Sequence, residues 1–204
     1  MRKTVNINKK IRVVDLFSGA GGLTYGFTHK IYKKNIYRRN IFDIVFANEI
    51  DKNAAASFKE NFPNIPLFEC DIAKIDKIFL LNNNINFNNV DLIIGGPPCQ
   101  SFSTIGKRKY DERAKLYIEY KRLLSIIRPK IFIFENVIGI LSMNDDNNVK
   151  VIDNINKLFS GIQSTNGEIG YKLHTKIIDL KKYGVPQTRK RVFIVGVRRD
   201  LDID

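Results

Sequence analysis

Short, nearly uninterrupted apolar runs recur along the chain, and stretches of helical period separate them. Ile11 to Phe17 is the first run, and it ends in Ser18-Gly19-Ala20-Gly21-Gly22. Leu23 to Ile31 then reads as a helix. Phe42 to Ala47 is a second strand, followed by a helix from Asp51 to about Asn61 that Pro63 and Pro66 stop. Leu67 to Cys70 and Val90 to Ile94 are the third and fourth strands, and Arg113 to Ile127 is a helix. Ile131 to Phe134, introduced by Pro129, is the fifth strand, and Val149 to Phe159 is helical. Lys172 to Asp179 and Arg191 to Val197 read as paired late strands. Strands that are apolar on both faces and alternate with helices predict a doubly wound α/β fold with a mostly parallel sheet. In such sheets ligands bind at the carboxyl ends of the strands.

Three stretches read as solvated surface loops: the basic Lys33 to Asn40, the Asn-rich Asn82 to Asn89, and the polar Asn144 to Asn148. With no internal repeat and no second domain apparent, residues 1–204 read as one domain. The length of 204 residues and the 44 % hydrophobic content suit a domain with a real core. No apolar run reaches membrane-spanning length, and Met1 to Lys10 lacks the apolar stretch of a signal peptide, so a cytoplasmic location is expected. The two cysteines, Cys70 and Cys99, make no disulfide framework, and no Cys/His set has metal-ligand spacing. A formal net charge of +13 suggests an anionic partner such as nucleic acid. The abundance of Lys, Asn and Ile together also fits the codon bias of an AT-rich genome, so charge alone does not decide.

The candidate chemistry falls after the strands. Asp15 to Gly22 is strand, glycine turn and helix, but Thr24 stands where a third glycine of G-x-G-x-x-G would fall. Such a turn serves a dinucleotide, a nucleoside cofactor, or only packing. Glu49 follows the second strand, placed to accept from ribose hydroxyls, and Asp71 follows the third, placed to read an adenine amino group. Either alone equally suits a helix cap; three such features in succession favour an adenosine-containing cofactor. In Gly95-Gly96-Pro97-Pro98-Cys99-Gln100-Ser101-Phe102-Ser103, prolines restrict the backbone beside a cysteine at a strand's carboxyl end. Free cysteines usually pack in cores; one placed here suits a thiolate nucleophile. Glu135 ends an apolar strand, where a carboxylate is costly unless paired or used, and it is expected beside the Cys99 turn as a proton donor. Arg189 and Arg191, in Gln187-Thr188-Arg189-Lys190-Arg191, point the same way and suit a phosphate or a carbonyl; a basic solvated turn is the plainer alternative.

Together these residues resemble the bacterial DNA (cytosine-5) methyltransferase family. The resemblance rests on Asp15 to Gly22, Asn48-Glu49, Cys70-Asp71-Ile72, Gly96 to Ser103, Asp111 to Tyr117, Glu135 to Val137 and Tyr183 to Arg191, in family order and across almost the whole chain. It implies a Rossmann-like fold and S-adenosyl-L-methionine as cofactor. Phe17, Ser18, Gly19, Ala20, Gly21, Gly22 and Leu23 would line that cofactor, with Glu49 on the ribose, Asp71 on the adenine, Ile50 and Ile72 against the ring, and Gly96, Pro98 and Leu116 as further wall. It implies that Cys99 attacks C6 of a flipped cytosine, that Glu135 engages the base edge, and that Arg191 contacts the base carbonyl. Ser101, Ser103, Lys107, Arg108 and Arg189 would contact DNA, the segment from Ser101 to Lys109 being a loop that closes on it.

The resemblance also implies a departure. The family continues with a target-recognition domain, which residues 1–204 lack, so a partner polypeptide carrying that domain is expected, within a restriction-modification system, or else the chain is truncated. Three other readings stay open: a tRNA cytosine-5 methyltransferase with the same chemistry, a non-catalytic partner-binding fragment, and a nicotinamide-dependent dehydrogenase using the same glycine turn. The last leaves Cys99 and Glu135 without a role.

Overall fold

The structure is a computed structural model that describes residues 9–32, 35–98, 116–162 and 170–201. The chain packs as two compact units, Met1–Ile93 and Ile94–Asp204.

In the first unit, β1 (Ile11–Leu16) is followed by α1 (Gly22–Thr28), then β2 (His29–Tyr32), β3 (Asn35–Arg38) and β4 (Phe42–Asn48). After these come α2 (Lys52–Asn61), β5 (Leu67–Phe68) and α3 (Lys77–Asn82). The β1, β4 and β5 strands pair in parallel in the order β5-β4-β1, with Ile11 opposite Phe42 and Ala47 opposite Leu67. Val13, Val14, Leu16, Phe46 and Ala47 are fully buried, which is why these strands read as apolar runs rather than alternating ones. Asp51 caps α2, its Oδ1 accepting from the amides of Asn53 and Ala54, and Phe62 closes the helix just before Pro63. Ala55 and Phe58 face inward from α2, and Phe58 and Phe62 cluster with Ala47, Ile65 and Leu67.

Two expectations are corrected in this unit. The first helix ends at Thr28, not Ile31, and the basic stretch after it is an antiparallel ribbon in which His29 pairs with Arg38 and Tyr32 with Asn35. The β-branched and aromatic residues of this stretch favour strand over helix. The Asn-rich stretch is a loop, as expected, but an anchored one. Ile85 and Phe87 are buried, and the Arg12 guanidinium donates to the carbonyls of Asn86 and Asn88. Asn84 and Asn89 take the left-handed backbone that asparagine tolerates. The short α3 helix, capped by Asp76, has no counterpart in the sequence reading.

The chain passes from one unit to the other within β6 (Leu92–Gly95). The second unit holds α4 (Leu116–Ile127), β7 (Ile131–Val137), α5 (Val151–Ser160), β8 (Tyr171–Asp179) and β9 (Lys190–Arg198). The late strands pair as expected, antiparallel, in the order β7-β9-β8. An aromatic core of Tyr120, Phe132, Phe134, Phe159 and Tyr171 fills this unit, each nearly or wholly buried. Its two hydroxyls are satisfied: Tyr120 donates to the Ile133 carbonyl at 3.0 Å and Tyr171 to that of Pro129 at 2.7 Å. The Asn144 to Asn148 loop is held by Asp145, whose carboxylate accepts from the amides of Asn147 and Val149 and from Asn154. Among the described residues no helix is long and apolar enough to cross a membrane.

Candidate active site

The first unit gathers its candidate residues at the carboxyl ends of three parallel, adjacent strands. Phe17 leaves β1 with φ 57°, and Gly19 and Gly21 take φ 57° and 93°, so the backbone doubles back into α1. Such angles suit glycine best. The glycines then divide by role. Gly21 is buried against the Phe62 and Phe58 rings, so its missing side chain serves packing. Gly19 and Gly22 face open space, where a ligand can approach the backbone.

Glu49 is tied to that turn. Its Oε2 accepts from the Gly19 amide at 2.8 Å, and its Oε1 accepts from the amides of Ile50 and Asp51, both at 2.8 Å. Asn48, with 1 % of its surface exposed, links all three strand ends: its carbonyl accepts from the Ser18 amide at 2.9 Å, and its Nδ2 donates to the carbonyls of Phe68 and Cys70. Asp71 is exposed and caps a 3-10 turn, Ile72–Lys74, through the Ala73 amide. Ile50 is 61 % exposed and free to meet a ring, whereas Ile72 is 3 % exposed and already part of the core. Ala20 is exposed and Leu23 half-buried on the same turn.

Asp15 is a feature that sequence reasoning quoted without giving it a role. It is fully buried in β1, its Oδ2 accepting from the Thr24 hydroxyl at 2.6 Å. Thr24 thus fills the place of the missing third glycine with a bond to the strand. Burial pushes the Asp15 carboxyl up to about 7, against the lowering effect of Thr24. Asp15 Oδ1 and the Ser18 hydroxyl are buried with no hydrogen-bond partner among the described residues. Two unsatisfied polar atoms under an open glycine turn fit a site that is completed by a polar ligand.

The second unit holds the candidate reactive groups. Glu135 lies within β7, not after it as the sequence suggested, because the strand runs on to Val137 along β9. A Cβ on Gly96 would lie 2.7 Å from Glu135 Oε2, so the carboxylate sits over the glycine that precedes Pro97-Pro98. The buried Asn136 reaches the next residue, its Nδ2 donating to the Pro97 carbonyl at 3.4 Å. Pro98 is exposed. Arg191 Nε stands 2.9 Å from Glu135 Oε1, both side chains being about one-fifth exposed. Burial raises the Glu135 carboxyl above the ordinary range, and Arg191 and then Arg189 pull it back. Arg189 itself is exposed, its carbonyl accepting from the Leu180 amide at 2.9 Å. Leu116 opens α4 and is half-buried. Cys99, Ser101, Ser103, Lys107 and Arg108 lie outside the described residues.

A family model for C-5 cytosine-specific DNA methylases matches residues 11–204. The chain belongs to that family. This DNA methylase family member is 37 % identical over 191 residues to the type II methyltransferase M.DdeI of Desulfomicrobium norvegicum, covering 93 % of this chain and 41 % of the relative. It is 38 % identical over 195 residues to M.NgoPII of Neisseria gonorrhoeae, covering 95 % and 50 % respectively. The solved structure of a prophage-encoded DNA modification methyltransferase from E. coli superposes with a TM-score of 0.74 at 32 % identity, over 96 % of this chain and 49 % of that one. The chain thus spans about half the length of the curated relatives it matches. The fold is the expected α/β, Rossmann-like one of S-adenosylmethionine-dependent methyltransferases, and members of this family take their methyl group from S-adenosylmethionine.

Proposed function

We propose that this methylase-family chain transfers a methyl group to C5 of cytosine in DNA, as its type II relatives' names imply. The observation that carries the proposal is the Glu135–Arg191 pair over Gly96, three residues before Cys99 in the sequence. A partly buried carboxyl with raised proton affinity suits a donor to the N3 edge of a cytosine ring, and Arg191 suits its carbonyl. Engagement of that edge makes C6 more electrophilic toward the Cys99 thiolate. Sulfur adds to C6, the ring's electron pair is placed at C5, and C5 takes the methyl group. Loss of the C5 proton and expulsion of the thiolate then restore the ring.

The first unit would hold the cofactor, which supplies an electrophilic methyl group when bound. The open backbone at Gly19 and Gly22, the Glu49 carboxylate and the exposed Ile50 fit an adenosine-bearing ligand. Glu49 would accept from the ribose, Asp71 from the adenine amino group, and the Phe17 to Leu23 turn would line the rest. Ser101, Ser103, Lys107, Arg108 and Arg189 would contact DNA. Target reading, by a further segment or by a partner polypeptide, belongs to this proposal, as does a place in a restriction-modification system.

The test is covalent capture. Duplex DNA containing 5-fluorocytosine, incubated with the wild type and S-adenosylmethionine, should form an adduct that a peptide map places on Cys99. Cys99→Ala should form none, and an RNA of the same sequence should be captured less. An adduct on Cys70, or equal capture of the RNA, would overturn the assignment.

A further inference from the structure

The register of the second unit places a lysine in line with the reactive carboxylate. Glu135 pairs with Phe193 across β7 and β9, and Phe193 pairs with Lys176 across β9 and β8. Directly paired residues project on the same face of a sheet. Glu135, Phe193 and Lys176 therefore form one row on one face, with Lys176 on β8, last in the order β7-β9-β8. Two strand spacings put it roughly 10 Å from Glu135. That is too far to touch a base held at Glu135. It is about three base steps along a strand at roughly 3.4 Å each.

Lys176 also opens onto a cleft of about 330 Å³, lined further by Ile177, Ile178, Asp179, Lys182, Tyr183 and Lys190. Its three lysines are exposed, and its single acid is partly committed, since Asp179 Oδ1 accepts from the Lys181 amide at 3.2 Å. Ile177 and Tyr183 are 51 % and 66 % exposed. The cleft sits where β8 ends and β9 begins, the same end of the strands that carries Arg189 and Arg191; Lys190, paired with Asp179, projects from the opposite face to Lys176 and lines the cleft from that side.

Resting on the methyltransferase reading, we propose that Lys176, Lys182 and Lys190 form a phosphate track for the DNA strand flanking the target cytosine. The track supplies register and affinity without reading sequence, as phosphate contacts do. Compact ammonium groups on flexible stems suit phosphates whose positions shift when a nucleotide leaves the stack.

The test is fluorescence anisotropy of a labelled DNA duplex against the wild type and the K176Q/K182Q/K190Q variant, at several salt concentrations. Removing one lysine–phosphate pair should flatten the slope of log K against log salt by about 0.9, so the triple variant should flatten it by between about 2 and 3. Binding should weaken alike on unrelated sequences, and S-adenosylhomocysteine affinity should not change. A control variant, K52Q/K77Q/K157Q, removes the same charge from exposed helix positions. An equal effect in the control, or an unchanged slope in the track variant, would overturn the track. Covalent capture of 5-fluorocytosine DNA by the wild type separates this outcome from failure of the methyltransferase reading. Capture with no effect of the three lysines removes the track alone; no binding and no capture removes both.

Discussion

Arg191 Nε lies 2.9 Å from Glu135 Oε1, and the two influences on that carboxyl oppose each other. Burial raises its proton affinity and the guanidinium lowers it, with burial the larger. An ion pair of this kind does not hold the fold together strongly, since desolvation offsets the attraction. It holds the Glu135 carboxyl in a fixed place.

If Glu135 donates a hydrogen bond to the base, its protonated form is the active one, and the single-turnover rate should fall as pH rises through its ionisation. Arg191→Met removes a lowering influence, so that fall should move to higher pH while the maximal rate drops. Glu135→Gln should slow the chemical step by about 10²-fold or more and leave cofactor affinity nearly unchanged. Rapid-quench kinetics across pH would check both. A fall at the same pH in Arg191→Met would refute the coupling.

Gly96→Ala tests the approach of the carboxylate. The added Cβ would stand 2.7 Å from Glu135 Oε2, the far end of a side chain that can turn away. Melting should therefore shift by only a few degrees while methyl transfer is largely abolished. A near wild-type turnover in a folded variant would show that Glu135 need not sit where it does.

Glu49→Gln should weaken S-adenosylhomocysteine binding by about 1–3 kcal/mol. An amide there keeps one acceptor oxygen but turns its NH2 donor toward either the Gly19 amide or the Ile50 and Asp51 amides, all of which donate to the native carboxylate. Asp71→Asn should cost less, because Asp71 is exposed and has a capping role besides. Isothermal titration of both folded variants decides; affinity unchanged in each would remove these residues from the cofactor site.

Asp15 predicts a pH dependence of stability. Its carboxyl is raised from 3.8 to about 7 by burial. Between those values the folded chain keeps a proton that the unfolded chain releases, so this contribution falls as pH rises from about 4 to about 7. The total is on the order of 4 kcal/mol. Asp15→Asn keeps an acceptor for Thr24 and cannot ionise. Urea unfolding should find the two proteins similar near pH 4, with the variant increasingly the more stable from pH 5 to pH 8. Parallel stability curves would contradict a raised Asp15.

The sequence by itself determined the order of the main sheet strands and of the longer helices, because runs such as Ile11 to Phe17 and Ile131 to Phe134 are apolar on both faces and only a covered sheet accommodates them. It determined the family too, since Pro97-Pro98-Cys99-Gln100, Glu135-Asn136-Val137 and the Gln187 to Arg191 segment are short-range signatures. Long-range geometry was not legible. Whether Gly21 serves a ligand or the Phe62 ring depends on a residue that only folding brings near. The ribbon of β2 and β3 was hidden because each strand is only four residues, too short to show a period until the two pair. The span of Asn48 across three strand ends and the row from Glu135 to Lys176 follow from register, and the union of Asp15 with Thr24 from the fold-back of α1 onto β1. Register is a property of paired backbones, and no single stretch of sequence contains it.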